Sequence, residues 1–221
     1  DVAEVAPRAC DLHGLLLLTA PLQRQEGAEL GLCLDQIAVL ADRTAKAENV
    51  AADILAQAEH GPDSACALVT DDRGLIGRVG AIIEESVQKS ERQDLIRSSL
   101  KSSGHILVQD MADGVRVCNE LAPEHLSVQT SDPLSILPSI ETAGAIFLGD
   151  HSPVACGDYT TGTDHVLPTA GNAAVHSGLD VLHFMKRSSV QMLDLKTLKD
   201  LAPATVKLAE TEGLRAHAES V

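Results

Sequence analysis

The chain has 221 residues, of which 44% are apolar and only 1% aromatic, so its core must be built mainly from Leu, Val, Ile and Ala. The scarcity of aromatic side chains excludes a base-stacking surface for single-stranded nucleic acid. The formal net charge of −15 disfavours duplex nucleic acid and anionic membrane surfaces as partners, and no apolar run approaches the roughly 20 residues of a membrane span.

From residue 36 onward, short apolar runs alternate with helical patterns. The apolar runs predict strands at 37–41, 66–70, 105–108, 126–128 and 144–148. The helical patterns predict helices at 42–60, 75–87, 94–100 and 111–121. Continuous apolar strands separated by helices are typical of a parallel sheet covered on both faces. We therefore expect an α/β fold with an incomplete Rossmann-like, mostly parallel sheet and helices on both faces.

The chain divides into three expected segments. Residues 1–34 have no clear periodicity, residues 35–179 form the predicted α/β domain, and residues 180–221 form a small helical C-terminal arm whose last helix is predicted at 203–218. The stretch 149–178 is rich in Gly, Ser, Thr, Asp and His and follows the fifth strand. Open α/β sheets bind ligands beyond the carboxyl ends of their strands, so this stretch is expected to be a ligand-binding loop.

Gln57 and His60 are three positions apart and therefore share one face of the predicted helix. Both side chains can donate a lone pair to a metal ion, although glutamine is an uncommon zinc ligand. The pair also fits a polar helix end, where a histidine favours the helix dipole. His217, in the last predicted helix, has no local partner and by itself indicates a solvated surface residue.

Glu124 and His125 follow a proline turn and precede a strand. One side chain could act as a general base and the other as a proton shuttle, or the two could form a solvated pair at the strand start. The segment 157–165 contains Asp158, His165 and several hydroxyl side chains, which fit a ligand-binding loop or a plain surface loop. No glycine-rich phosphate-binding motif occurs in the sequence.

The cysteines are scattered and include no CxxC pair. Neither a thiolate zinc site nor a redox-active pair is therefore indicated. Free thiols fit a reducing compartment, which we expect to be the cytoplasm, or a plastid if a transit peptide is missing.

Four motifs taken together resemble histidinol dehydrogenase, and they follow one another over about residues 36–221. They are the segments 51–64, 119–126, 157–169 and 212–217. The resemblance implies oxidation of L-histidinol to L-histidine, the last step of histidine biosynthesis, in two NAD-dependent steps. It also implies one zinc ion per site and an interlocked homodimer. In this family the metal orients the substrate, and the hydride passes to the nicotinamide.

The resemblance also implies roles for particular residues. Glu124 and His125 correspond to the acid–base pair, in which the histidine takes the alcohol proton and the glutamate activates water for the second oxidation. The positions implied as zinc ligands are Gln57, His60, Asp158 and His217. The positions implied as substrate-binding are Gln57, His60, His125, Asp158, His165, Glu212 and His217. Of these, Glu212 and His217 would reach into the site of the partner subunit.

The sequence departs from the family pattern on its N-terminal side. Residues 1–34 show no counterpart of the family's cofactor-holding segment, and Asp35 stands where the family has a substrate-contacting serine. No NAD-binding residue is therefore predicted, and we expect the 221-residue chain alone to oxidise L-histidinol slowly or not at all. The alternatives are a catalytically inactive zinc-binding or dimerisation homologue, and a plain α/β interaction domain. The presence of every implied zinc ligand and of the Glu–His pair argues against the last.

Overall fold

The computed structural model describes residues 36–163 and 166–221. Asp35 and His165 therefore lie outside the described residues, as does the whole segment 1–34. The chain divides into two compact units, of which the second is Val181–Val221.

The first unit contains a sheet of five strands, all of them parallel. In chain order these are β1 (Gln36–Ala41), β2 (Ala65–Thr70), β3 (Gly104–Leu107), β4 (His125–Gln129) and β5 (Ala145–Leu148). The spatial order is β3-β2-β1-β4-β5, so the chain reverses its direction of winding between β1 and β4. This is the Rossmann strand order 3-2-1-4-5-6 without its sixth strand, and the expected parallel α/β fold is confirmed.

Helices cover both faces of this sheet. They are α1 (Ala47–Ala58), α2 (Arg73–Lys89), α3 (Gln93–Leu100), α4 (Met111–Leu121), α5 (Pro133–Ile136) and α6 (Val154–Tyr159). Alternate strand residues point to opposite faces, so β1 sends Ile37 and Val39 into a core with α1, α2, α3 and α6. It sends Ala38 and Leu40 into a second core with α4. Burial on both faces is the reason why β1 and β2 are nearly continuous apolar runs.

Helix α1 begins at Ala47 and not at residue 42 as predicted. The Asp42 carboxylate accepts hydrogen bonds from the backbone N–H groups of Thr44 and Ser131, each at 2.8 Å, and so holds a turn between β1 and the helix. Burial alone would raise the pKa of Asp42, but the hydrogen bonds from Ser131 and Thr44 outweigh it and lower the pKa below its ordinary value.

The polar stretch 149–178 is more regular than predicted. It contains helix α6 and a short 3-10 helix at Asn172–Ala174. Helix α6 has only six residues, too few to produce a recognisable apolar period in the sequence. A loop prediction over 154–159 is therefore wrong.

The second unit is helical, as expected for the C-terminal arm. It contains a 3-10 turn at Val181–Phe184, then α7 (Leu195–Thr211) and α8 (Arg215–Glu219). The predicted helix over 203–218 is wrong at its start, because Pro203 lies inside α7 and the helix is capped at Asp194. It is also interrupted, since Gly213 has a φ of 74° and separates the two helices. None of the helices in the described ranges combines the length and apolar character that a bilayer crossing needs.

Candidate active site at the amino edge of the sheet

The predicted acid–base pair lies at the edge of the sheet where the strands begin, here called the amino edge. His125 is the first residue of β4 and Glu124 precedes it, and both are buried, with 5% and 8% of their surface exposed. Helix α4 ends at Leu121, and its C-cap residue Ala122 adopts a left-handed φ of 46°. Pro123 disfavours the right-handed helical conformation at Ala122 and so contributes to ending the helix there.

Close contact with β5 holds the backbone of Glu124. The Gly144 N–H donates to the Pro123 carbonyl at 3.0 Å, and the Ala145 N–H donates to the Glu124 carbonyl at 2.9 Å. A Cβ atom on Gly144 would lie 2.6 Å from the Glu124 carbonyl oxygen, a distance that real Cβ contacts do not reach. The absence of a side chain at Gly144 therefore allows the close approach that places Glu124.

His125 contacts Phe147 of β5 and Asp158 of α6. Its ring centroid lies 5.8 Å from that of Phe147, with the ring planes tilted by 41°. Its Nε2 atom lies 3.8 Å from Oδ1 of Asp158, whose side chain is 20% exposed. The fold thus brings a buried imidazole and a partly buried carboxylate together, although the two are far apart in the sequence.

Helix α6 can approach the sheet because Gly157 has no side chain. A Cβ atom at this position would lie 2.6 Å from Cε1 of Phe147 and 2.9 Å from Oγ1 of Thr163. The Thr163 hydroxyl also donates to the Gly157 carbonyl at 3.2 Å. These contacts seat α6 on the aromatic ring and so place Asp158, the next residue, near His125.

Gln57 and His60 lie at the C-terminal end of α1. Gln57 is buried and His60 is exposed just beyond the helix, where its N–H donates to the Gln57 carbonyl at 3.1 Å. In a parallel sheet the helix after a strand returns from the carboxyl edge to the amino edge. Gln57 and His60 therefore reach the amino edge, as Asp158 does at the end of α6.

This placement corrects one expectation. A ligand-binding loop beyond the carboxyl ends of the strands is predicted from the sequence, but the candidate residues of the first unit lie at the opposite edge. The stretch 149–178 does leave β5 at the carboxyl edge, and α6 then carries Asp158 back toward the amino edge.

The donor set at this edge fits a zinc ion chemically. Gln57, His60 and Asp158 offer an amide oxygen, an imidazole nitrogen and a carboxylate oxygen, and zinc sites accept N and O ligands. Within the described ranges, no three His, Cys, Asp or Glu side chains form a group that could hold a metal on their own. The other implied ligand, His217, is exposed on α8 of the second unit, and Glu212 is exposed at the end of α7.

A buried polar network that the sequence analysis missed lies one turn before Gln57. Asp53 is 4% exposed and accepts hydrogen bonds from Oγ of Ser127 at 2.8 Å, Nε2 of Gln129 at 3.0 Å and the Val154 N–H at 3.2 Å. Burial raises the pKa of Asp53 in spite of these hydrogen bonds. The sequence does contain a signal for this network, because Asp53 is a polar residue within the apolar stripe of α1.

Residues 35–221 match the sequence model of the histidinol dehydrogenase family. The histidinol dehydrogenase of Methanothermobacter thermautotrophicus is 47% identical over 186 residues, which cover 84% of this chain and 44% of that protein. The histidinol dehydrogenase of Methanosarcina barkeri is 37% identical over 223 residues, covering 99% of this chain and 52% of that protein. This second alignment extends into residues 1–34.

The fold is also similar to a solved structure. The crystal structure of histidinol dehydrogenase from Elizabethkingia anophelis matches with a TM-score of 0.81 and 34% sequence identity. That match covers 84% of this chain and 43% of the other. The chain thus spans about half the length of the relatives that it matches.

Proposed function

The chain belongs to the histidinol dehydrogenase family, and we propose that it carries the metal-binding and acid–base residues of an enzyme that oxidises L-histidinol to L-histidine with NAD. The observation that carries the proposal is the buried Glu124–His125 pair with Oδ1 of Asp158 lying 3.8 Å from Nε2 of His125. A reaction that removes two hydrides and adds one water also releases protons, and this edge of the sheet holds two side chains that can accept them.

His125 serves the first oxidation. Its imidazole takes the hydroxyl proton of the alcohol while the hydride leaves the adjacent carbon, so that the aldehyde forms. The Asp158 carboxylate stabilises the resulting imidazolium by Coulomb attraction, which is strengthened because both groups are largely screened from water. NAD, when bound, supplies the hydride acceptor.

Glu124 serves the second oxidation. Its carboxylate takes a proton from a water molecule as the water oxygen attacks the aldehyde carbon, while the His125 imidazolium returns its proton to the carbonyl oxygen, giving a hydrate. The hydrate then loses the second hydride together with a hydroxyl proton, which the neutral His125 accepts. The two adjacent residues thereby divide the proton transfers of the two steps between them.

A zinc ion would be held by Gln57, His60 and Asp158, together with His217 of a second copy of the chain. Zinc, when bound, orients the substrate's imidazole and amino group. Asp158 has two carboxylate oxygens, so it would be able to bind the metal while remaining close to His125.

The second unit favours assembly with another copy. Its helix α7 exposes Leu195, Leu201 and Leu208, at 67%, 48% and 65% of their surface. Exposed apolar groups on one helix favour burial against another chain. His217 is exposed on the following helix and therefore accessible to a neighbouring subunit.

Zinc binding tests the ligand set. We expect His217→Ala to lower the affinity for Zn²⁺ at least tenfold in chelator competition, because one of four ligands is lost. His183→Ala, which removes another exposed histidine of the same unit, is the matched control and should leave the affinity unchanged. Equal zinc affinities in the two variants would rule out His217 as a ligand.

A mixing experiment tests whether the ligand comes from a second copy. Chains carrying His60→Ala and chains carrying His217→Ala each lack one ligand in every site. If subunits exchange and His217 acts across the dimer, the mixture should regain about a quarter of its sites, because half of a random mixture is heterodimer with one complete site. Recovery of no site after exchange would show that both ligands come from one chain, or that the set is wrong.

A further inference from the structure

Three separate elements carry candidate site residues of the first unit. One buried carboxylate lies on the first of these elements and accepts hydrogen bonds from the other two. Asp53 belongs to α1, and it accepts a hydrogen bond from Ser127 of β4 at 2.8 Å. It also accepts one from the Val154 N–H, at the first residue of α6, at 3.2 Å. Helix α1, strand β4 and helix α6 are therefore joined at a single side chain.

Each of these three elements also carries a candidate site residue, which lies one helical turn or two strand positions from the residue that takes part in the contact. On α1, Gln57 follows Asp53 by four positions, about 6 Å along the same helix face. On β4, His125 precedes Ser127 by two positions and so points to the same face of the sheet.

The same spacing holds on α6, where Asp158 follows Val154 by four positions. We propose that Asp53 is a positioning residue, which sets Gln57, His125 and Asp158 relative to one another at the amino edge. The roles of these three residues rest on the proposed function, whereas their placement by Asp53 is a property of the fold.

The chemistry of the network favours a carboxylate over an apolar residue. The Asp53 carboxylate offers only acceptors, and the groups around it are donors. Its Oδ2 accepts hydrogen bonds from the Ser127 hydroxyl and Gln129 Nε2, and its Oδ1 accepts one from the Val154 N–H. An apolar side chain would leave these buried donors unpaired, which folded proteins avoid. Its neighbours Val50 and Ile54 on α1 show that this helix face otherwise packs as an apolar core.

Three variants separate positioning from simple stabilisation. Asp53→Ala removes all acceptors. Asp53→Asn removes the charge but keeps an acceptor for the Val154 N–H, and the Ser127 hydroxyl can rotate to accept from the new amide. Gln129 can adapt as well, because its Oε1 has no hydrogen-bond partner among the described residues and can turn toward that amide.

The matched control is Ser99→Ala. The Ser99 hydroxyl is fully buried and donates to the Ser64 carbonyl at 2.8 Å, so its removal also breaks a buried hydrogen bond. It joins α3 to the segment before β2, and neither residue of this hydrogen bond belongs to α1, β4 or α6.

The first measurement is hydrogen exchange on the metal-free chain. In Asp53→Ala, the amides of α6 should exchange at least tenfold faster than in the parent chain, while those of α2 keep their parental rates. In Ser99→Ala and Asp53→Asn, exchange in α6 should stay within threefold of the parent. Parental exchange of α6 in Asp53→Ala would overturn the proposal.

The second measurement is metal binding, with Zn²⁺ in chelator competition and Co²⁺ as a spectroscopic probe. Loss of a side chain that orients metal ligands typically costs 10–100-fold in affinity, and we expect this of Asp53→Ala. The visible Co²⁺ spectrum should change in that variant and not in Ser99→Ala. Equal losses in Asp53→Asn and Asp53→Ala would assign the effect to charge and overturn positioning.

The proposed zinc ligand set and the proposed positioning role of Asp53 can be refuted independently of each other. If the parent chain binds no Zn²⁺, the proposed ligand set is wrong, and hydrogen exchange in α6 alone decides the role of Asp53. If the parent binds Zn²⁺ and Asp53→Ala binds it equally well with parental exchange in α6, the positioning role is wrong and the ligand set stands.

Discussion

The seating of α6 on the sheet predicts that Gly157→Ala destabilises the chain, although alanine is the better helix former. A Cβ atom at residue 157 would lie 2.6 and 2.7 Å from two ring atoms of Phe147 and 2.9 Å from Oγ1 of Thr163. The nearest of these contacts is about 0.8 Å short of the 3.4 Å at which ordinary contact begins. The ring has little freedom to yield, because Phe147 is 7% exposed and contacts His125.

The expected magnitude is the balance of two effects. Replacing glycine by alanine inside a helix stabilises by up to about 1 kcal/mol. Forcing an extra methyl group into a packed core costs about 1–3 kcal/mol, and we expect the upper part of that range because the contact is with a rigid ring. A net loss of about 1–2 kcal/mol follows, which for a chain of this size lowers Tm by roughly 2–8 °C.

Urea unfolding followed by circular dichroism measures the effect, and Gly80→Ala is the control. Gly80 lies inside α2, and a Cβ atom there would have no neighbour within 4 Å. We expect this control to stabilise the chain by about 0.5–1 kcal/mol. If Gly157→Ala were as stable as Gly80→Ala, the contact between α6 and Phe147 could not be as close as described. Zinc affinity should also fall in Gly157→Ala, since Asp158 would move with the helix.

Three further predictions concern single groups. In a chain joined to the N-terminal half of a full-length relative, Glu124→Gln should slow oxidation of added aldehyde by roughly 10²–10⁴ while slowing alcohol oxidation less, as followed by NADH absorbance; full activity on the aldehyde would exclude Glu124 as the base. Burial raises the pKa of Cys118 to about 12, so iodoacetamide at about pH 8 should leave this thiol intact while the half-buried Cys156 reacts, and peptide mass spectrometry identifies the sites. The lowered pKa of Asp42 means that its stabilisation is present above about pH 4 and is lost as the pH falls through the folded-state value, so Asp42→Asn should flatten the acid side of the urea-unfolding profile. An unchanged acid limb would show that other carboxyl groups govern acid unfolding.

The sequence by itself predicted the parallel sheet and the family. In a sheet covered by helices on both faces, strand residues are buried on both sides, so β1 is apolar at every position from Ile37 to Ala41. The helical period of the apolar residues in α4 is equally clear in the sequence, and the predicted bounds of 111–121 agree with the structure. The family was predictable from four motifs because each keeps several residues in fixed local order, and this prediction is confirmed.

Local patterns failed where a distant partner decides the conformation. Helix α1 starts late because Asp42 binds the backbone at Ser131. Helix α6 forms within a stretch of loop-like composition because Asp53 accepts the Val154 N–H and Gly157 fits against Phe147. The partners in these pairs are 89, 101 and 10 positions apart in the chain, so the residues flanking each position do not reveal the contact.

The location of the candidate site was decided by the tertiary structure alone. Gln57, His125 and Asp158 are individually visible in the sequence, but a single sequence does not state which edge of the sheet each one reaches. That depends on the return of α1 and α6 from the carboxyl edge and on the pairing of β4 between β1 and β5. Side chains far apart in the chain converge only when the backbone between them has been folded, and the burial and hydrogen bonds that hold them together are created in the same step.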